Sequence, residues 1–306
     1  MHLSRPAAYP FLFAGMAVVG SYVAFSKPLL VAIPVLLLAT LRFAIAAVAM
    51  LPWTFTRSGD EALPPHAWRQ LFVQSFFGNF LFSICMLNGV ALTSASAAGI
   101  ILSTLPAVVA VFSAIFLRES LTPRAIFAVF LAVAGIAVLQ FTRAGADPAE
   151  SERVVLGNLL VFCSVCCEAT YVILGKRLTA TLSAMRISAL INLFGLLLML
   201  PFGLWQMQRF DFSALDVGTW ELLAYYALAA SVFSTWLWLT GLKHVPANHA
   251  GVFSVALPLS STAIAVGMLG ETLTMGHMIA FACAVGGILL IALAPQREAR
   301  LGVPGN

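Results

Sequence analysis

The sequence predicts an all-α membrane protein in which ten transmembrane helices form two inverted five-helix repeats. Three observations carry that prediction. Of the 306 residues, 61% are hydrophobic and 9% charged, and a mean hydropathy of +0.99 describes a chain solvated mostly by lipid. Ten continuous apolar runs, each near the roughly 20 residues a helix needs to cross hydrocarbon, fall at 9–26, 34–53, 68–87, 93–117, 123–141, 154–175, 185–205, 217–239, 246–270 and 275–293. Barrel strands would instead alternate apolar and polar residues over short segments. The stretch from Ala98-Gly99 through Pro106 to Glu119-Ser120-Leu121-Thr122 recurs from Ala250-Gly251 through Pro258 to Glu271-Thr272-Leu273-Thr274. Glycine, proline, glutamate, leucine and threonine all keep one offset of 152 residues. Five spans per half is an odd number, so the second copy enters the membrane upside down, as in many secondary transporters.

The charges orient the spans. With the amino terminus cytoplasmic, Arg5, Arg57, Arg69, Arg118, Arg124, Lys176, Arg177, Arg186, Lys243, Arg297 and Arg300 lie inside, against Lys27, Arg143, Arg153 and Arg209 outside. Eleven against four satisfies the positive-inside rule with both termini cytoplasmic. The net charge of +4 is therefore a loop asymmetry, and no nucleic-acid partner is expected. The first span, flanked by Arg5 alone and followed by nine more, is expected to be an anchor rather than a cleaved leader. Cys85, Cys163, Cys166, Cys167 and Cys283 fall inside apolar spans as small packing residues. Cys163-x-x-Cys166 lacks the second pair or histidine that a zinc site needs, so no metal is expected.

Span one carries Gly20, Ser21, Tyr22, Ser26 and Lys27, which match Ala169, Thr170, Tyr171, Gly175 and Lys176 of span six at an offset of 149. Span two carries Arg42, whose intramembrane charge costs about 2.5–3.5 kcal/mol on insertion scales unless it finds partners. Two roles stand open for it: bonding carbonyls within the bundle, or pairing with Glu168, the one acidic residue well inside a span. Span three sets Ser75, Asn79 and Ser83 four residues apart, on one helix face. Asn79 and Ser83 correspond to Ser231 and Thr235 of span eight, which adds Trp236 and Trp238, and span six offers Ser164, Glu168 and Tyr171. Such stripes either glue helices together or line a cavity.

Spans four and nine carry the repeated motif. A proline inside a helix removes the bond to the carbonyl four residues earlier, so Pro106 frees Leu102 and Pro258 frees Ser254. The result is a packing kink or a pair of hinges with Gly99 and Gly251. Glu119 and Glu271, beside Thr122 and Thr274, are expected to cap the helices that follow them. Spans five and ten match in Ala128-x-x-x-Ala132 plus Gly135 and Ala280-x-x-x-Ala284 plus Gly287, small-residue faces that permit close helix contact, within the bundle or at a homodimer face. The repeats occupy 1–142 and 154–306. Between them a charged periplasmic linker, 143–153, contains Gly145, Asp147, Pro148, Ala149 and Ser151.

No Gly-x-x-x-x-Gly-Lys-Ser/Thr, nucleophile elbow or His-Glu-x-x-His occurs. All four aspartates, Asp60, Asp147, Asp211 and Asp216, lie in loops, and His244 and His249 are poorly spaced for a metal. Neither an enzyme nor a cofactor is expected.

Ten spans in two halves, each with a Gly-seven-Pro-thirteen-Glu-x-Leu-Thr pattern followed by a small-residue helix, resemble the EamA-type drug/metabolite transporter superfamily over nearly the whole chain. Within it the chain is similar to the YddG-type aromatic amino acid exporters. The resemblance implies a proton-linked or facilitated carrier of the bacterial inner membrane, monomeric or homodimeric, that exports amino acids or other metabolites through a cavity between the halves. The cavity is expected to be lined by Ser21, Tyr22, Asn79, Ser83, Ser103, Glu168, Tyr171, Ser231, Thr235, Trp238 and Ser254, with Glu168 sensing a proton or the substrate ammonium. Cationic drugs, purines and nucleotide sugars are the alternative cargoes; phosphate cargo would want more basic residues at depth than Arg42. A non-transporting membrane scaffold is the remaining alternative.

Overall fold

The computed structural model describes residues 5–55, 63–118, 121–141, 148–178, 182–242 and 251–292. Among them the chain is helical and has no strands. In order come α1 (Arg5–Ala32), α2 (Val35–Ala49), the single turn α3 (Leu51–Thr54), α4 (Pro65–Ser75), a π-helical turn (Phe76–Leu81) and α5 (Phe82–Leu92). Then come α6 (Ala95–Leu102), α7 (Leu105–Leu117), α8 (Pro123–Phe141), α9 (Pro148–Leu178) and α10 (Ala184–Met207). The rest comprises α11 (Val217–Leu228), a second π turn (Ala229–Phe233), α12 (Ser234–Leu242), a 3-10 turn (Gly251–Val255), α13 (Ala256–Gly267) and α14 (Met275–Ala292), with a short 3-10 turn, Phe212–Ala214, before α11.

Six stretches of the described residues are long and apolar enough to cross a membrane: Ala8–Ala32, Pro65–Leu92, Ala95–Phe116, Glu150–Leu174, Met185–Met207 and Met275–Ala292. Shorter apolar helices cover Val35–Ala49, Pro123–Leu139 and Phe253–Gly267. The surface suits lipid. Val31, Val48, Ile115, Phe116, Phe130 and Val133 face outward, whereas Ser26, Ser75, Asn158, Ser164 and Ser261 are buried. Hydrocarbon solvates the apolar side chains without cost, while hydroxyls and amides must find partners between helices.

The packing has a regularity. α8 pairs with α14, α2 with α10, α5 with α9, α12 with α1, α7 with α9 and α13 with α1. Exchanging each helix for its counterpart in the other half maps this set onto itself. The small-residue faces meet each other: a methyl on Gly135 would stand 3.2 Å from Cys283 Cβ, and one on Gly287 would stand 3.5 Å from the Ala128 carbonyl. Ala128, Gly135, Ala280 and Gly287 therefore serve contact within the chain, and a homodimer needs another face.

Two boundaries differ from expectation. The segment read as a linker is helical from Pro148 onward, because proline is preorganised for a first turn and Glu150 there faces the positive end of the helix dipole. Span four is two helices. It breaks at Ser103–Thr104, with Pro106 in the first turn of α7, where no amide is needed.

Candidate functional site

Five helices converge on one buried constellation. α2 contributes Arg42, α1 Tyr22, α5 Ser83, α9 Glu168 and Tyr171, and α11 Tyr226. Arg42 is 8% exposed. Its Nη2 donates to Ser83 Oγ at 2.9 Å, its guanidinium lies 4.0 Å from the centre of the Phe43 ring, and its Nε is buried without a partner. Neither role foreseen for Arg42 is taken up: among the described residues no carbonyl accepts from it, and no ion pair closes with Glu168. Glu168, Tyr22 and Tyr226 nonetheless lie in the neighbourhood of Arg42, and Tyr22 and Tyr171 in that of Glu168. Tyr22 and Tyr226 meet edge to face with centroids 5.8 Å apart. Ser21 donates to the Val18 carbonyl at 2.8 Å, which leaves the Tyr225 hydroxyl as donor in its 2.5 Å bond to Ser21 Oγ. Tyr22, Glu168 and Tyr171 are each half-buried.

The π turns set which residues reach the constellation. Each inserts a residue into the helix and rotates the turns beyond it about the helix axis, so the stripe of span three divides. Ser75 and Asn79 both donate to the Ile191 carbonyl of α10, at 2.7 and 2.6 Å, whereas Ser83 turns to Arg42. Gly78, inside the turn, lies against the Tyr171 ring, and any β-carbon there would overlap it. The second π turn occupies the corresponding position in the other half. Its Ser231 donates to Asn192 Oδ1 at 2.9 Å, and Asn192 in turn donates to the Ser188 carbonyl at 2.8 Å.

Other expected lining residues lie elsewhere. Ser103 and Thr104 donate back to the Ile100 and Ile101 carbonyls at 2.6 and 2.7 Å, sealing the break in span four. Trp238 packs with Phe253 on Ala8 and Leu12. Thr235 and Ser254 are half-buried, and no hydrogen bond joins them to the constellation among the described residues. Thus Tyr22, Ser83, Glu168 and Tyr171 gather around Arg42, Ser21 is tied instead to the exposed Tyr225 of α11, and Asn79, Ser103, Ser231 and Trp238 are engaged in contacts between or within helices. Of the hinge residues, Gly99 abuts Ser261 of α13, Gly251 opens the 3-10 turn, and Pro258 is the third residue of α13.

A polar lattice closes the end of the bundle that holds Lys27. The Lys27 ammonium donates to the carbonyls of Val90, at 2.8 Å, and Thr93. Thr93 Oγ1 donates to Asn158 Oδ1 at 2.6 Å. Glu271 accepts from the Ala95 amide at 2.6 Å and from the Ser96 amide and hydroxyl at 3.0 and 2.7 Å. Glu271 therefore caps α6, across the duplication, and not the helix that follows it. The start of α14 is served by Thr274, whose Oγ1 accepts from the His277 amide at 3.4 Å, so the carboxylate is left for the free amides and positive dipole of α6. Glu119, its counterpart, lies outside the described residues.

Two crevices open between helices away from the constellation. One of about 640 Å³ is lined by Arg69, Gln70, Phe77, Phe116, Thr170 and Leu174. The other, of about 510 Å³, lies between α7, α8 and α9 and reaches Asn158.

Sequence reasoning passed over Tyr225, Tyr226, Asn158 and Asn192. An amide inside an apolar run is the same signal that flagged Arg42, and it would have found both asparagines. The π turns leave no local signature.

The EamA-like transporter family model matches residues 7–141 and 155–293. The chain is 37% identical to the uncharacterized transporter YetK of Bacillus subtilis (strain 168), over 95% of this chain and 88% of that one. It is 22% identical to the uncharacterized transporter YyaM of the same organism, over 81% of each, and 25% identical to an uncharacterized transporter of Archaeoglobus fulgidus, over 83% of this chain and 84% of the other. A solved crystal structure, 20% identical, superposes with a TM-score of 0.64 over 96% of this chain and all of its own, and so shares the fold.

Proposed function

We propose that this chain, which belongs to the EamA-like transporter family and is a membrane transporter rather than an enzyme, exports α-amino acids with aromatic or neutral side chains by alternating access. Ten spans would form two inverted five-helix repeats in a bacterial inner membrane with both termini cytoplasmic. The invariance of the packing under exchange of halves supports that arrangement. So do the break before Pro106 and the 3-10 turn before Pro258, which would let the two central spans bend as the halves rock.

The observation that carries the reading is the meeting of Arg42 and Glu168 with the rings of Tyr22, Tyr171 and Tyr226, where α1, α2, α5, α9 and α11 converge. Opposite charges held at depth among aromatic rings suit a small zwitterion with an apolar side chain. In this orientation the latched Lys27 end is the periplasmic face, so the described conformation is closed outward. Glu168 would carry the coupling proton or receive the ammonium.

Purified protein in liposomes is expected to exchange labelled phenylalanine or leucine. Flux of other solutes with no amino acid carried would discard the cargo. Impermeant amine labelling is expected to reach Lys27 and Lys176 from opposite faces, and labelling from one face would discard the inverted repeat.

A further inference from the structure

We infer that Arg42 is the carboxylate anchor of the transport site, and that its separation from Glu168 selects zwitterions over simple anions and simple cations. The inference rests on the amino-acid reading above and deepens it.

A guanidinium offers five N–H donors and no acceptor. When it serves only to hold helices together at membrane depth, carbonyls or carboxylates normally take those donors, because each unmet one costs desolvation with no return. Arg42 is buried to 8% exposure, yet among the described residues the fold supplies one neutral hydroxyl, Ser83 at 2.9 Å, and one ring face, Phe43 at 4.0 Å. Its Nε has no partner. So sparsely partnered a guanidinium retains N–H donors that an anion could take.

The acidic side chain of Glu168 does not close on it. Glu168 lies in the neighbourhood of Arg42, but among the described residues no ion pair joins the two and none donates a hydrogen bond to Glu168. Ser83 draws the guanidinium toward α5 while Glu168 stays on α9. A guanidinium and a carboxyl group, near each other but each short of partners, match a ligand whose own ammonium and carboxylate are one carbon apart. A carboxylate bound to Arg42 alone would face the repulsion of Glu168, and an amine bound to Glu168 alone would face that of Arg42. A phosphate monoester, with more negative charge, would meet the same carboxylate. Only the zwitterion answers both.

The test measures ligand-induced thermal stabilisation and flux for three probes: phenylalanine, its carboxamide and 3-phenylpropionate. The wild type is expected to favour phenylalanine over the amide by about 30-fold, the scale of one charged hydrogen bond. Arg42→Gln should lower phenylalanine binding by about that factor while changing the amide less than about 3-fold, so the preference disappears. Glu168→Gln should raise 3-phenylpropionate relative to phenylalanine. If Arg42→Gln does not fold, Ser83→Ala, which removes the one hydroxyl holding the guanidinium, should shrink the preference several-fold. Equal losses for acid and amide, or an unaltered preference, would assign Arg42 a structural role and overturn the inference. If the wild type carries phenylalanine without preferring it to the amide, the inference falls while the amino-acid reading stands. If it binds 3-phenylpropionate in an Arg42-dependent way but moves no amino acid, the cargo reading falls and the selection of zwitterions over simple anions falls with it.

Discussion

At the scale of single residues, glycine is informative only where a neighbour leaves no room. A β-carbon on Gly20 of α1 would strike the Ser260 hydroxyl and the Leu257 carbonyl of α13, at the turn beyond the second interruption. Gly267, at the end of α13, has nothing within 4 Å. Gly20→Ala should therefore cost about 1–3 kcal/mol, the usual range for overpacking. Gly267→Ala should be neutral or gain up to about 1 kcal/mol from helix propensity. Thermal unfolding midpoints of the two variants check this, and equal shifts would mean that α1 and α13 separate easily. Arg42 and Glu168 stood out in the sequence because a charge inside an apolar run is costly wherever the chain takes it. Which groups answer each charge could not be read there, since Ser83 and Phe43 meet the guanidinium only through helix packing.

At the scale of elements, caps and interruptions decide more than helix propensity. Asp216 and Asp211 accept hydroxyl and amide bonds, from Thr219 and Ser213 respectively. Those bonds, the hydroxyl ones first, hold both carboxyls below the ordinary aspartate value of 3.8. A carboxyl depressed in the folded state adds stability above its unfolded pKa and loses it as pH falls through the folded one. The unfolding midpoint should thus decline as pH drops below about 4, and less steeply in Asp211→Asn/Asp216→Asn; identical slopes would show that the caps do not contribute. Glu271→Gln removes the charge from the α6 cap and should cost about 1 kcal/mol, read in the same unfolding assay. The π turns at Phe76–Leu81 and Ala229–Phe233 explain why a polar stripe evident at helical spacing divided: a single inserted residue carried Asn79 to α10 and left Ser83 for Arg42.

At the scale of the whole molecule, the Lys27 end is tied by bonds that cross between helices distant in sequence: Lys27 to α5, Thr93 to α9, and Glu271 to α6. Under the proposed alternating access, these contacts part once in each cycle. Cysteines at Thr93 and Asn158, whose side chains now share a 2.6 Å hydrogen bond, should cross-link and stop net flux, and a reductant should restore it. Full transport by the cross-linked protein would show that this end stays shut throughout and that cargo leaves by another route.

Membrane class, duplication and family were all legible in the linear chain. Composition and repeated motifs accumulate over many residues, and no single contact can erase them. Tyr22 and Tyr171, paired by the repeat offset, were also visible as counterparts. What tertiary structure alone decided is the facing of side chains: Tyr226 turned inward, Ser231 tied to Asn192, Glu271 reaching α6, and the small-residue helices packed on each other. Facing depends on how far each helix is rotated about its axis. An inserted π turn or a broken first turn resets that rotation without altering the local apolar pattern from which helices are recognised.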